Sequence, residues 1–417
     1  MREVVIVSGV RTPVGRYMGA LKSVEAYDLA AAVLKAAVEK AGIEPDMVDE
    51  VVFGQSYQNG EYVNIARMAL LTAGWSDSIP GITLDRRCCT GLDVVRYALA
   101  LIQSGQADII AAGGAESMSN AEFYLPGSIK WGIGGQKGMP RGHGDLSIWG
   151  LRFYDRIQRA RVMSQPEERF GILPSMMSWA ETAAEAEGIT RDACDRWALE
   201  SHRKACAAIH SGKFKQEIVP VTVPQIKGNP IIVDRDENPR EDTTLEKLTR
   251  LKPVMGGVCT AGNSSTENDG AAAVVVMAAE KAKALKIEPM AMVKSIAVAG
   301  TDPRHTYRTV PKAVENALKA AGRSLEQMEL IELQEAFAAQ VLADLKEMGL
   351  GPDAYDKVNI NGSGISLGHP IACTGTRVLV TLLHEMQRSD AKNALECICG
   401  GGGLGIAAIL ERRTPWF

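Results

Sequence analysis

A chain of 417 residues with 46% hydrophobic and 23% charged side chains has the composition of an ordinary globular protein, long enough for two or three domains. A net charge of -4 gives no support for binding nucleic acid or an anionic membrane. No apolar run reaches the length of a membrane helix, and eight cysteines without CxxC spacing argue for a reducing compartment and against a zinc site.

The opening "MREVVIVSGVRTPVGR" predicts a strand over 3–8 and lacks the apolar core and cleavage site of a signal peptide, so the expected location is cytoplasmic. Residues 26–41 space Leu29, Val33, Leu34 and Val38 as one helix face, with Gly42 as the stop. A strand follows at 48–55. "PGITLD" then leads to Cys88 and Cys89, a helix over 91–105 and a strand over 107–118.

The second half repeats the theme. A strand is expected at 291–300, a helix at 309–322 and a strand leading into a helix at 328–337. A strand and loop at 357–364, a helix at 374–387 and two strands around a glycine turn at 394–411 complete it. "VEKAGIEPDMVDEVVFGQ" and "LKAAGRSLEQMELIELQE" share one plan of helix end, short loop and strand, which points to two similar halves. This alternation predicts an α/β protein. Residues 121–256 differ. They hold an aperiodic stretch rich in Gly and basic residues at 126–145, interrupted helices at 178–212 and a polar, loop-like 234–248, and they read as an insertion.

Four stretches carry candidate chemistry. "CCTGL" ends a strand and opens a helix, whose N-terminus stabilises a thiolate. Adjacent cysteines are badly placed to bond each other, and both also suit small buried side chains, so this stretch alone does not choose between Cys88 and Cys89. "NINGSGISLGHP" sets His369 among glycines, where it can serve as base or oxyanion donor. "CICGGGGLG" sets Cys399 before a glycine run, and "ELQEAFAAQ" is the fourth. Singly, each fits a turn or a structural residue. Together, two thiols, an imidazole and exposed backbone N–H groups suit acyl transfer.

"VIVSGVRTPVGR", "CCTGL", "GGAESMS", "AGNSSTENDGAAAVVVM", "EAFAAQ", "NGSGISLGHPIACTGTR" and "CGGGGLGIA", in that order, resemble the thiolases, acyl-CoA C-acyltransferases, over essentially the whole chain. The resemblance implies two βαβαβαββ halves in a five-layer αβαβα core. The halves would be 1–120 plus 257–284 and 285–417, with 121–256 a loop domain that covers the active site and binds CoA. It implies Cys88 as nucleophile, Cys399 as acid/base and His369 as the histidine of the GHP motif. The N–H groups of Cys88 and Gly401 would form an oxyanion hole. Ser265 would lie near the pantetheine and Arg240 near the nucleotide of CoA, with Met176 and Phe337 lining the acyl pocket. CoA and acyl-CoA are the implied partners, with no metal, no tightly bound cofactor and a homodimer or homotetramer. The implied reaction is CoA-dependent cleavage of a 3-ketoacyl-CoA or the reverse condensation. A decarboxylating ketoacyl synthase and a non-catalytic scaffold subunit stand as alternatives.

Three departures from the family pattern matter. Gln334 stands where the family has an Asn that positions a water in a second oxyanion hole. Cys89 replaces a usual glycine. The 119–176 stretch is long and carries Trp131, Trp149, Phe153 and Tyr154, expected to pack rather than to touch substrate.

Overall fold

The computed structural model of the chain describes residues 1–125, 127 and 153–416. Trp131, Trp149 and most of the 126–145 stretch lie outside them. In chain order, β1 (Val4–Arg11), α1 (Ala26–Ala41), β2 (Glu50–Gly54), α2 (Ile65–Thr72), β3 (Gly81–Leu84), α3 (Thr90–Gln103) and β4 (Ile109–Ser117) come first. Then α4 (Arg156–Val162), α5 (Met177–Glu187) and α6 (Arg191–His210) precede β5 (Asn268–Ala278). Finally come β6 (Ala291–Gly300), α7 (Thr309–Ala321), β7 (Leu330–Leu333), α8 (Ala338–Glu347), α9 (Ile371–Ser389), β8 (Asn393–Gly400) and β9 (Leu404–Glu411).

The strands pair in the order β7-β8-β9-β6-β1-β5-β4-β2-β3. The run β3-β2-β4-β5-β1 has the same order and directions as β7-β8-β9-β6 once one further strand is allowed beside β7. In the first half β3-β2 and β2-β4 are parallel, in the second β7-β8 is, and the other pairs within each half are antiparallel. The expected strand at 357–364 is that missing member, and it is reduced to a single bridge between Ile331 and Val358. The reason lies in Asn359. Its φ of 47° turns the chain away, and its side-chain amide takes over the ladder, accepting from Leu333 N at 2.8 Å and donating to Leu333 O at 2.8 Å. The helix α2, for its part, is not foreshadowed by the sequence reading. It is short, and the Asn64 side chain caps it by accepting from Arg67 N.

Alternation along the strands sorts the core into layers. Val5, Val51, Phe53, Ala273 and Val275 pack under α1 and α2. Ile6, Val52, Ile110, Val274 and Val276 face the other way, onto α3 and α9, which also receive Ala394, Ile398, Ile406 and Ala408 from the second half. Leu395, Cys397, Ala407 and Ile409 in turn pack under α7 and α8. The result is helix, sheet, helix pair, sheet, helix: five layers, held by period-two burial on strands covered on both faces.

The central pair sets the geometry of the site. Where α3 and α9 cross, a Cβ added at Gly91 would lie 2.6 Å from Thr376 N and 2.8 Å from Ala372 O. Only glycine permits that backbone approach. It brings the N-terminus of α3, which carries Cys88, against the N-terminus of α9, which follows His369.

Candidate active site

Cys88 is the middle residue of a 3-10 turn (Arg87–Cys89) between β3 and α3, and Arg87 before it sits at φ 51°. Cys88 is half-buried and lines a cavity of about 320 Å³. Cys89 turns away from that cavity. Its thiol is fully buried and donates to Ile398 O at 3.6 Å, which fastens α3 to β8.

His369 Nε2 lies 3.2 Å from Cys88 Sγ. Its Nδ1 lies 2.7 Å from Thr374 Oγ1, and that hydroxyl donates to Pro370 O at 3.0 Å. A hydroxyl that has given its one proton to a carbonyl accepts from Nδ1–H, which leaves the Nε2 lone pair facing the thiol. The backbone of His369 is fixed by its N–H bond to Asn268 Oδ1 at 2.8 Å. The neighbouring Gly368, at φ 96°, makes room for Asn268, whose Oδ1 a Cβ would approach to 2.5 Å.

Burial pushes the His369 imidazole down to about 3, helped by the charges of Arg377 and Arg161. Burial also pushes the Cys88 thiol up, opposed by the Gly401 N–H and the Arg87 charge. At neutral pH the pair therefore rests as thiol and neutral imidazole, a base waiting beside its proton. Cys399, near the end of β8, lines the same cavity and is held well above the usual thiol range by burial and then by Cys88.

Gly401, Met176, Phe337 and Ser265 also line the cavity. Phe337 is braced edge-on by Trp179 at 5.2 Å between ring centres. Ser265 N donates to Ala336 O at 2.9 Å, so the two motifs "AGNSS" and "QEAF" are joined at the wall. Arg240 lies elsewhere, exposed on a second cavity of about 140 Å³, and Thr266 lines both. Gln334 lines neither cavity. It is fully buried behind the wall, where its Oε1 accepts from Arg377 Nη2 at 3.4 Å. Phe153 is 68% exposed and Tyr154 stacks on Tyr124, so neither meets the cavity.

Sequence reasoning passed over several residues of the site. Asn268 and Thr374 orient His369. Glu335 accepts from Trp197 Nε1, Ser201 Oγ, Asn359 Nδ2 and Ile365 N, tying α6 to the loops that hold Asn359 and Ile365, next to the wall residues Ala336 and Phe337. Asn268 and Glu335 stand in motifs already singled out, which was the available signal. Tyr57, Arg87 and Arg161, also in the wall, carried none.

The thiolase N-terminal domain matches residues 4–280 and the thiolase C-terminal domain residues 287–412. The chain is 44% identical to an acetyl-CoA acetyltransferase of Pseudomonas aeruginosa over 99% of its length and 100% of that protein. It is 43% identical to an acetyl-CoA acetyltransferase of Cupriavidus necator, with 99% and 100% covered. Its fold matches a Bacillus anthracis acetyl-CoA acetyltransferase with a TM-score of 0.89 at 39% identity, and human mitochondrial 3-ketoacyl-CoA thiolase with 0.88 at 32%, each over 99% of both chains. With both family domains matched across one duplicated fold, the chain belongs to the thiolase family and is an acyltransferase of CoA-dependent thiolytic cleavage or the reverse condensation.

Proposed function

We propose that the protein cleaves a 3-ketoacyl-CoA with CoA to acetyl-CoA or another CoA ester and a shortened acyl-CoA, or runs the reverse, through an acyl group carried on Cys88. His369 Nε2 takes the Cys88 proton and the thiolate attacks the 3-keto carbon. The N–H groups of Cys88 and Gly401 receive the oxyanion. Carbon–carbon cleavage releases a thioester enolate, whose oxygen His369 supports and whose carbon Cys399 protonates. A second CoA, deprotonated by Cys399, then takes the acyl group from Cys88. The observation that carries this reading is the 3.2 Å contact of Cys88 Sγ with His369 Nε2, in a cavity that Cys399 and Gly401 also line.

In this reading the pantetheine of CoA passes Ser265, and its nucleotide end reaches Arg240. Met176 and Phe337 bound the acyl group. Gln334 acts from behind the wall, together with Arg377, on the shape of the second oxyanion site. Residues 121–256 form the loop domain over the site, between halves at 1–120 plus 257–284 and 285–417. The protein works in the cytoplasm, in fatty acid β-oxidation or a related route, as a homodimer or homotetramer.

The test is thiolysis of a panel of 3-ketoacyl-CoA esters. Cys88→Ala should abolish turnover. Cys399→Ala should still accept an acyl group on Cys88 but lose deuterium exchange at the methyl of acetyl-CoA. Exchange at the wild-type rate in Cys399→Ala would remove Cys399 from the proton step.

A further inference from the structure

The cavity wall beside Cys88 carries more charge than a hydrocarbon acyl group needs. Asp85, Arg87, Arg161 and Glu267 all line it. Three of the four are committed within the protein. Arg161 Nη2 pairs with Glu267 Oε1 at 2.6 Å. Asp85 Oδ1 accepts from the backbone N–H of Arg87 at 2.7 Å, from Ser56 Oγ at 2.9 Å and from Thr90 Oγ1 at 3.3 Å. Among the described residues the guanidinium of Arg87 has one bond, from Nη1 to Ala160 O at 3.2 Å, and no carboxylate within ion-pair distance.

The backbone of Arg87 is pinned for this placement. Its φ of 51° is uncommon for a residue with a side chain, and both its peptide groups are held, the N–H by Asp85 and the C=O by Ser56 Oγ at 3.3 Å. The side chain then runs past Gly401, where an added Cβ would lie 3.9 Å from Arg87 Cδ and 3.1 Å from Met176 Sδ. Gly401 is also the residue whose N–H, together with the Arg87 charge, lowers the Cys88 thiol against burial. The guanidinium thus lies within a side chain's length of the acyl thioester. Tyr57 lines the same cavity, and the charges of Arg161 and Arg87 oppose the effect of burial on its hydroxyl.

A methyl-ended acyl chain laid against this wall would strip water from guanidinium N–H groups and offer them nothing, a mismatch that discriminates strongly between substrates. A carboxylate matches the planar fork. The phosphates of CoA are a poor match, because a CoA whose sulfur reaches Cys88 holds them a pantetheine's length away. Resting on the thiolase reading above, we infer that the acyl group transferred by Cys88 is short and ends in a carboxylate, bound by Arg87 with the Tyr57 hydroxyl as a second donor. The substrate class is then an ω-carboxy-3-ketoacyl-CoA.

The experiment compares thiolysis of 3-oxoadipyl-CoA with that of 3-oxohexanoyl-CoA, the same chain ending in methyl, and includes acetoacetyl-CoA. The wild-type protein should favour the carboxy-ended ester by at least about tenfold in kcat/KM, mostly through KM, the yield of one charge-assisted contact. Arg87→Leu should level that ratio, and Arg87→Lys should restore part of it. Equal or better kcat/KM for the methyl-ended ester in the wild type overturns the inference, as does a preference that survives in Arg87→Leu. In both cases turnover itself leaves the thiolase reading standing. Failure of the wild type on all three esters would instead count against the cleavage reaction proposed above, and this inference with it.

Discussion

The reactive pair is set up by two hydroxyl and amide contacts rather than by charge. Thr374 fixes the tautomer of His369, Asn268 fixes its backbone, and burial keeps the ring neutral down to about 3. With Cys88 held above the usual thiol range, its reactivity should follow the thiolate fraction as pH rises. Alkylation of Cys88 by iodoacetamide should therefore climb about tenfold per pH unit from pH 6 to 9. A plateau below pH 8 would mean a resting thiolate–imidazolium pair and would refute this balance. That Cys88, His369 and Cys399 share one cavity was expected from the sequence, for His369 and Cys399 from glycine-flanked motifs and for Cys88 over Cys89 from the family resemblance alone. Asn268 stood in a quoted motif, but its role did not show there, because its contact with His369 spans 101 residues of chain. Arg87 escaped notice for a different reason: an arginine beside a cysteine reads as a surface charge until the turn aims it inward.

At the scale of elements, the close crossing of α3 and α9 holds Cys88 against His369. A methyl at position 91 meets backbone atoms of α9 at 2.6 Å and 2.8 Å, which no rotamer change can relieve. Gly91→Ala should therefore destabilise the protein by about 3 kcal/mol, at the upper end for overpacking, and should lower turnover as the helices part. An unchanged denaturation midpoint with full activity would show that the crossing has slack. Strands and long helices were legible because the layers are sorted by period-two and helical burial. Val5 faces outward and Ile6 inward on β1, and Val51 and Val52 divide likewise on β2. The strand expected at 357–364 was misjudged because Asn359 replaces backbone ladder bonds with side-chain ones, and a sequence pattern does not distinguish the two.

At the scale of the whole molecule, the duplicated halves meet along the helix pair and through the short β1–β6 pairing, Val5 with Met292 and Ile6 with Ala291. Among the described residues the strand β3 ends the sheet with an unpaired edge, and α2 packed on it exposes Met68 and Leu71. An open edge beside exposed apolar side chains favours pairing with a second copy. Light scattering at micromolar concentration should give a dimer or tetramer mass, and a monomer mass throughout that range would count against the proposed assembly. The central claim, that Cys88 rather than its neighbour carries the acyl group, has a more direct test. The protein is incubated briefly with an acyl-CoA substrate, quenched in acid, digested and mapped by mass spectrometry. The account predicts the acyl group on Cys88 and none on Cys89, whose thiol is buried against Ile398. Label on Cys89, or on neither cysteine while turnover proceeds, would contradict it.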